Sequence, residues 1–172
     1  MNQYDAEKKS KRIDKQYKKG VEKMVTVVKG LQSEIYVPVT PKPVFTPVTK
    51  PLKEMRIALA TAAGVHLKSD KRFNLAGDTT FREIPGDAPA DQLMVSHGGY
   101  DNADVNKDIN CMFPIDRLRE LQAEGIFKEV APMHYGFMGG GGNQEVFTEK
   151  TGPEIAAKLL AEEVDAVLLT AG

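Results

Sequence analysis

Glu163-Val164-Asp165-Ala166-Val167-Leu168-Leu169-Thr170-Ala171-Gly172 is the stretch on which the fold turns. Five of the six residues from Val164 to Leu169 are apolar, the composition of a strand buried on both faces. A helix precedes it. Thr151-Gly152-Pro153-Glu154 has capping-box spacing, and Ile155, Leu159 and Leu160 supply an apolar face. A helix leading directly into an apolar strand implies a parallel α/β sheet. In such sheets ligands and nucleophiles sit at the carboxyl end of the strand and on the helix that follows it. The sequence stops at that point, so the residue carrying the chemistry is expected beyond Gly172.

Working back toward the amino terminus, Ile126 to Ala131 reads as another strand, closed by Pro132. Phe113 to Glu124 reads as a helix, with Pro114 in its first turn, Ile115, Leu118 and Leu121 on its apolar face, and Gly125 to end it. A short strand is expected around Asp91 to His97, centred on Leu93, Met94 and Val95, and a first strand at Arg56 to Thr61 ends in the small-residue turn Ala62-Ala63-Gly64. The expected architecture is α/β: an open, mostly parallel sheet with helices on both faces, over residues 54–172.

Two segments precede it. Residues 1–29 form a basic helical extension, with Ile13, Tyr17, Val21, Met24 and Val28 at spacings of three and four among lysines. Residues 30–53 form a proline-rich arm, in which Pro38, Pro41, Pro43, Pro47 and Pro51 rule out a central strand. The apolar residues between those prolines favour an extended arm lying on a surface over a free linker.

Composition narrows the function. The net charge of −1 argues against nucleic acid or an anionic membrane as partner of the whole chain. Residues 1–30 hold nine Lys/Arg against four Asp/Glu, and residues 31–172 hold fourteen against twenty. The lone cysteine, Cys111, excludes an internal disulfide framework, and among apolar neighbours it is expected to be buried and inert. No run approaches the ~18 apolar residues of a membrane span. The first twenty residues lack the apolar centre of a signal peptide, so a cytoplasmic protein is expected.

The densest polar stretch, Ser96 to Asn110, follows a strand end, where α/β proteins place their sites. Asp104, Asn106 and Asp108 imitate the start of a calcium loop, but Ile109 and Ile115 stand where its glycine and bidentate glutamate belong. The stretch reads equally as a loop built from Asx turns and as a binding site containing His97, Gly98, Gly99, Tyr100, Asp101 and Asn106. His134 leads into Gly139-Gly140-Gly141-Gly142, whose amides could hold an anion or form a lid. No Gly-Lys-Ser/Thr follows, which excludes a P-loop. The three histidines, His66, His97 and His134, lack metal-ligand spacing, and no metal is expected. The residues present offer acids, bases and binders but no convincing nucleophile.

Several motifs together carry a resemblance. They include Ile57-Ala58-Leu59-Ala60-Thr61-Ala62-Ala63-Gly64-Val65-His66, Asp70-Lys71-Arg72-Phe73-Asn74-Leu75-Ala76-Gly77-Asp78 and Ser96-His97-Gly98-Gly99-Tyr100-Asp101. Further along are Asp104-Val105-Asn106-Lys107-Asp108-Ile109-Asn110, Met112-Phe113-Pro114-Ile115-Asp116-Arg117-Leu118, Gly136-Phe137-Met138 with its glycine run, and the ending Leu168-Leu169-Thr170-Ala171-Gly172. Over roughly residues 24–172 the chain resembles the selenoprotein-subunit family of the clostridial D-proline reductases, a group related to the B proteins of the glycine, sarcosine and betaine reductases.

The resemblance implies a subunit of a hetero-oligomer that opens the D-proline ring reductively to 5-aminovalerate. In that family selenocysteine follows the Thr-Ala-Gly strand end, then Gly-x-Cys and a further α/β segment. Selenocysteine is encoded by UGA, often taken for a stop, and this implies a chain cut just before its selenolate and inactive as it stands. The resemblance further implies that the partner subunit carries a pyruvoyl group and that this chain binds no cofactor of its own. Supporting roles are expected for His97, His134 or Asp108 as proton donors. Gly98, Gly99, Tyr100, Asp101, Asn106, Gly140 and Gly141 are expected to contact substrate or partner. A glycine-, sarcosine- or betaine-type B subunit is the alternative within the same class, and a non-catalytic assembly module the alternative outside it. A terminal strand without its covering crossover leaves an apolar edge exposed. The 172-residue chain is therefore expected to associate in size-exclusion chromatography, and a clean monomer at high concentration contradicts this.

Overall fold

The computed structural model describes residues 46–139 and 143–171. The expected basic helix (1–29), residues 30–45 of the arm, Gly140 and Gly141 lie outside the described residues.

β1 (Arg56–Thr61) is the strand on which the others are laid. Along one side it pairs in parallel with β7 (Ala166–Thr170), in unbroken register from Ile57–Ala166 to Thr61–Thr170. Along the other it pairs in parallel first with β5 (Glu129–Val130) and then with β6 (Met133–Phe137). β3 (Phe81–Pro85) closes that side, antiparallel to β6. The main sheet is thus five-stranded and mostly parallel, as expected, with one antiparallel edge. A second sheet was not foreseen: β2 (Val65–Leu67) pairs antiparallel with β4 (Leu93–Val95). The strand expected around Asp91–His97 therefore exists but stands outside the parallel sheet. A 3-10 turn (Ala90–Gln92) feeds it, with no crossover helix to return it beside β1.

Alternation along β1 sends its side chains into two cores. Ala58 and Ala60 join Tyr135, Ile155 and Leu159, so α3 (Gly152–Ala161) packs on that face, where small residues let it approach. Leu59 points the other way, into a core with Phe113, Ile115 and Leu118, the last two on α1 (Ile115–Ala123). Gly125, at φ +71°, follows α1 as the left-handed residue that helix ends favour.

Three expected boundaries move. The strand placed at Ile126–Ala131 is reduced to Glu129–Val130, because Pro132 cannot donate to the ladder. The chain re-enters as β6, which sequence reasoning treated as a loop. The terminal strand begins at Ala166 and not Val164: Glu163 turns at φ +55°, and the Asp165 carboxylate is engaged by the Arg56 amide at 2.8 Å and the Lys50 ammonium. Thr151 does not cap a helix. It lies inside one helical run, comprising α2 (Gln144–Val146), a π-helical turn (Phe147–Thr151) and α3, and its hydroxyl donates to the Thr79 carbonyl. Asn143 is the actual cap, accepting from the amides of Glu145 and Val146 at 2.9 and 3.3 Å.

The break between β5 and β6 inserts two residues. Arg56 pairs with Glu129 and Ile57 with Val130, but Ala60 pairs with Tyr135 and Thr61 with Gly136. Ala131 donates to the Ile57 carbonyl at 2.8 Å, and the Leu59 amide donates instead to Nδ1 of His134, at 3.0 Å. An imidazole replaces a missing carbonyl. The ring is fully buried, with the Phe113 ring edge-on at 5.8 Å, and Nε2 has no hydrogen-bond partner. Burial lowers the His134 pKa to about 4, and the Arg119 charge adds to the shift.

Two predictions follow from these contacts. A Cβ on Gly136 would stand 1.9 Å from the Val65 carbonyl oxygen, backbone that cannot rotate away. Gly136→Ala is expected to cost about 3 kcal/mol or more in urea unfolding, and a cost within experimental error contradicts this contact. His134 is neutral when folded and has a depressed pKa, so its contribution is complete above its unfolded pKa of 6.5 and is lost as pH falls toward 4. That loss amounts to about 3 kcal/mol. His134→Asn keeps an acceptor for Leu59 and should flatten the stability profile between these limits; an unchanged profile excludes His134 as its source.

Candidate functional site

Parallel pairing brings the carboxyl ends of β1, β6 and β7 to one rim of the sheet. Their exits are tied together by backbone. The Ala62 amide donates to Thr170 O, Gly139 to Ala62 O and Gly64 to Phe137 O, each at 2.9 Å. Gly64 turns at φ +72°, where a Cβ would meet the Ser96 carbonyl oxygen at 2.4 Å. Ser96 in turn donates its amide to Gly64 O at 3.0 Å. This crossing carries the chain from β4 onto the rim.

His97 stands there, half-buried. Its Nδ1 accepts from the Gly99 amide at 2.9 Å and its Nε2 lies 3.0 Å from the Gly139 carbonyl oxygen. A carbonyl only accepts and an amide N–H only donates, which assigns the ring proton to Nε2. The Tyr100 ring lies 4.9 Å from the imidazole, and its hydroxyl donates to Ala63 O at 2.8 Å. Burial raises the Tyr100 pKa. Asn102 donates to the His97 carbonyl at 2.9 Å, while its own Oδ1 is buried without a partner.

A second cluster completes the rim. Thr61 and Thr170 are ladder partners, so their side chains share a face, and both hydroxyls point at the Met112 carbonyl, at 3.5 and 2.6 Å. This bond fixes the carboxyl end of β7 to the loop that carries Cys111. Cys111 is exposed, contrary to expectation: in its 3-10 turn, Ile109–Cys111, Ile109 takes the buried position. Sequence reasoning missed the threonine pair. Its one visible sign is the matching ends Leu59-Ala60-Thr61-Ala62 and Leu168-Leu169-Thr170-Ala171.

The structure separates the expected site residues. His97, Gly98, Gly99 and Tyr100 gather on the rim beside Gly139. Asn106, Asp101 and Asp108 build the loop that follows: they accept the amides of Val95 at 3.0 Å, Ala103 at 2.9 Å and Asn110 at 3.0 Å. The Asn110 bonds hold the Asp108 carboxyl below its usual range. Asn106 and Asp108 also line an open cavity of about 280 Å³ with Lys68 and Asp91. His134 lies in the core, on Leu59. His66 is fully buried as well, accepting from the Ser96 hydroxyl at 2.8 Å and donating to Leu67 O at 2.6 Å. Among the described residues no three His, Cys, Asp or Glu side chains gather closely enough to hold a metal, and no helix is long and apolar enough to cross a membrane.

Residues 5–172 match the family described as glycine/sarcosine/betaine reductase selenoprotein B. The chain is 72% identical over 148 residues to the D-proline reductase subunit gamma of Acetoanaerobium sticklandii, a match covering 86% of this chain and 61% of that protein. It is 33% identical over 163 residues to the glycine reductase complex component B subunit gamma of Carboxydothermus hydrogenoformans, covering 89% of this chain and 37% of that protein. With the sarcosine reductase complex component B subunit beta of Peptoclostridium acidaminophilum the identity is 32% over 168 residues, covering 89% and 37%. The chain thus spans less than two thirds of the length of these relatives. No solved structure matches. With its motifs, its rim of parallel strand ends and this match over nearly its whole length, the chain belongs to the glycine/sarcosine/betaine reductase selenoprotein B family.

Proposed function

We propose that this chain is part of a D-proline reductase selenoprotein subunit, an oxidoreductase that cleaves the Cα–N bond of D-proline to give 5-aminovalerate. The observation that carries this reading is the gap in identity: 72% to the D-proline reductase subunit, against 26–33% to the glycine, sarcosine and betaine reductase components. The reaction consumes two electrons and two protons, one proton ending on the former Cα and one on nitrogen. The selenolate belongs directly after Gly172, at the carboxyl end of β7. A pyruvoyl group on a partner subunit supplies the electron sink for the ring nitrogen. This places the subunit in a cytoplasmic hetero-oligomer.

The chain's own residues shape the rim around that position. Thr61 and Thr170, through the Met112 carbonyl, hold the end of β7 where the reacting group would stand. His97 is the best-suited proton donor: its Nε2–H faces the rim, and Tyr100 and the Gly99 amide hold its ring. Gly98 and Gly99, with their exposed backbone, are suited to receive a substrate carboxylate. Asp108, engaged by Asn110, and His134, engaged by Leu59, are less suited to deliver a proton.

Sequencing the coding DNA past the Gly172 codon tests the frame: an in-frame UGA followed by Gly-x-Cys supports it, and unrelated sequence removes it. In the complete selenium-containing complex, His97→Ala should lower D-proline turnover by about a hundredfold or more, the scale of a lost general acid. A loss of only a few-fold would remove His97 from the chemistry. Turnover of glycine, sarcosine or betaine in place of D-proline would reassign the substrate.

A further inference from the structure

β7 is built as an interior strand, yet among the described residues it pairs on one side only. Its ladder rungs with β1 show the mismatch. Leu59 is fully buried while its partner Leu168 is 44% exposed, and Ala60 is 3% exposed while its partner Leu169 is 73% exposed. Successive strand residues face opposite sides of the sheet, so apolar surface is left open on both faces of β7. Leu160, on α3, is 75% exposed as well. Edge strands are usually blunted by a charged side chain, a proline or a bulge. Ala166-Val167-Leu168-Leu169-Thr170 has none of these and runs in regular register over all five residues.

We infer that the free edge of β7 seats a further parallel strand with a covering helix, supplied by polypeptide corresponding to the part of the longer relatives that this chain does not match. The occupant follows from length and composition. β7 lies inside a match of 72% identity that takes up only 61% of the D-proline reductase subunit gamma, so that protein holds additional chain and a closely similar β7 to cover. A strand at this edge continues the ladder, and side chains on its two faces meet Leu168 and Leu169. A helix crossing the α3 side covers Leu160 and Leu169. The inference is independent of which substrate the complex reduces.

The test is co-expression of the 172-residue chain with the unmatched remainder of the Acetoanaerobium sticklandii subunit as a separate polypeptide, with cysteine at any selenocysteine position. Expected are a one-to-one complex and slowed hydrogen exchange at the amides of 166–170. Leu169→Lys should weaken the complex roughly tenfold or more, as loss of a central apolar anchor does. Leu75→Lys, at a leucine 57% exposed on a loop away from β7, should leave it intact. Three results overturn the inference: a monomeric chain whose β7 amides are already protected, a self-paired dimer through β7 that the added polypeptide does not displace, or a complex indifferent to Leu169→Lys. Should the separate polypeptide fail to fold, exchange in the intact relative decides the matter. Strong protection there of the strand matching β7, against fast exchange in this chain, upholds the proposal; equal rates overturn it.

Discussion

β1 is hydrogen-bonded along both edges, and the rest of the described structure depends on that. A strand so enclosed must satisfy every amide and carbonyl from protein, because water has no access to it. β7 does this through five consecutive rungs. The other edge cannot, since Pro132 interrupts the partner strand. The deficit at Leu59 is met by a side chain, the His134 imidazole. Leaving a buried amide unpaired would cost about 1–3 kcal/mol, which is why so large a polar ring is tolerated in an apolar core.

The same pairing creates the rim. Three parallel strands end together, and the register that matches Thr61 with Thr170 puts their hydroxyls on one face beside one carbonyl. The glycine at 64 allows the β4 exit to cross at a distance no Cβ would permit, which delivers His97 and Tyr100 to the strand ends. Site geometry and sheet geometry are therefore one problem. A change that shifts β1 against β7 moves the threonines, and a change at Gly64 moves the histidine.

The three histidines show how much context adds to residue type. Each stands near a strand in the sequence, and sequence reasoning could only group them. Folding gives His134 an amide to hold, His66 a serine hydroxyl to accept from, and His97 a carbonyl on the rim. Burial drives the pKa of His134 down and lowers that of His66. Cys111 shows the converse: apolar neighbours in sequence suggested burial, but in a 3-10 turn only Ile109 of the three residues points inward.

The sequence by itself determined the class of fold and the family. Runs such as Ile57-Ala58-Leu59-Ala60 and Val167-Leu168-Leu169 mark buried strands because no other element hides so many consecutive apolar residues in so short a length. The α1 helix was legible from its leucine spacing and its terminal glycine. Motif matches carried the family, since they need only residue identity. Tertiary structure alone decided the split of one expected strand into β5 and β6, the antiparallel β2–β4 pair, and the true start of the last helical run at Asn143. These depend on which backbone groups find partners far away in the chain, and local periodicity carries no record of that. The rim is of the same kind: Thr61, Met112 and Thr170 become neighbours only when β1 and β7 lie side by side.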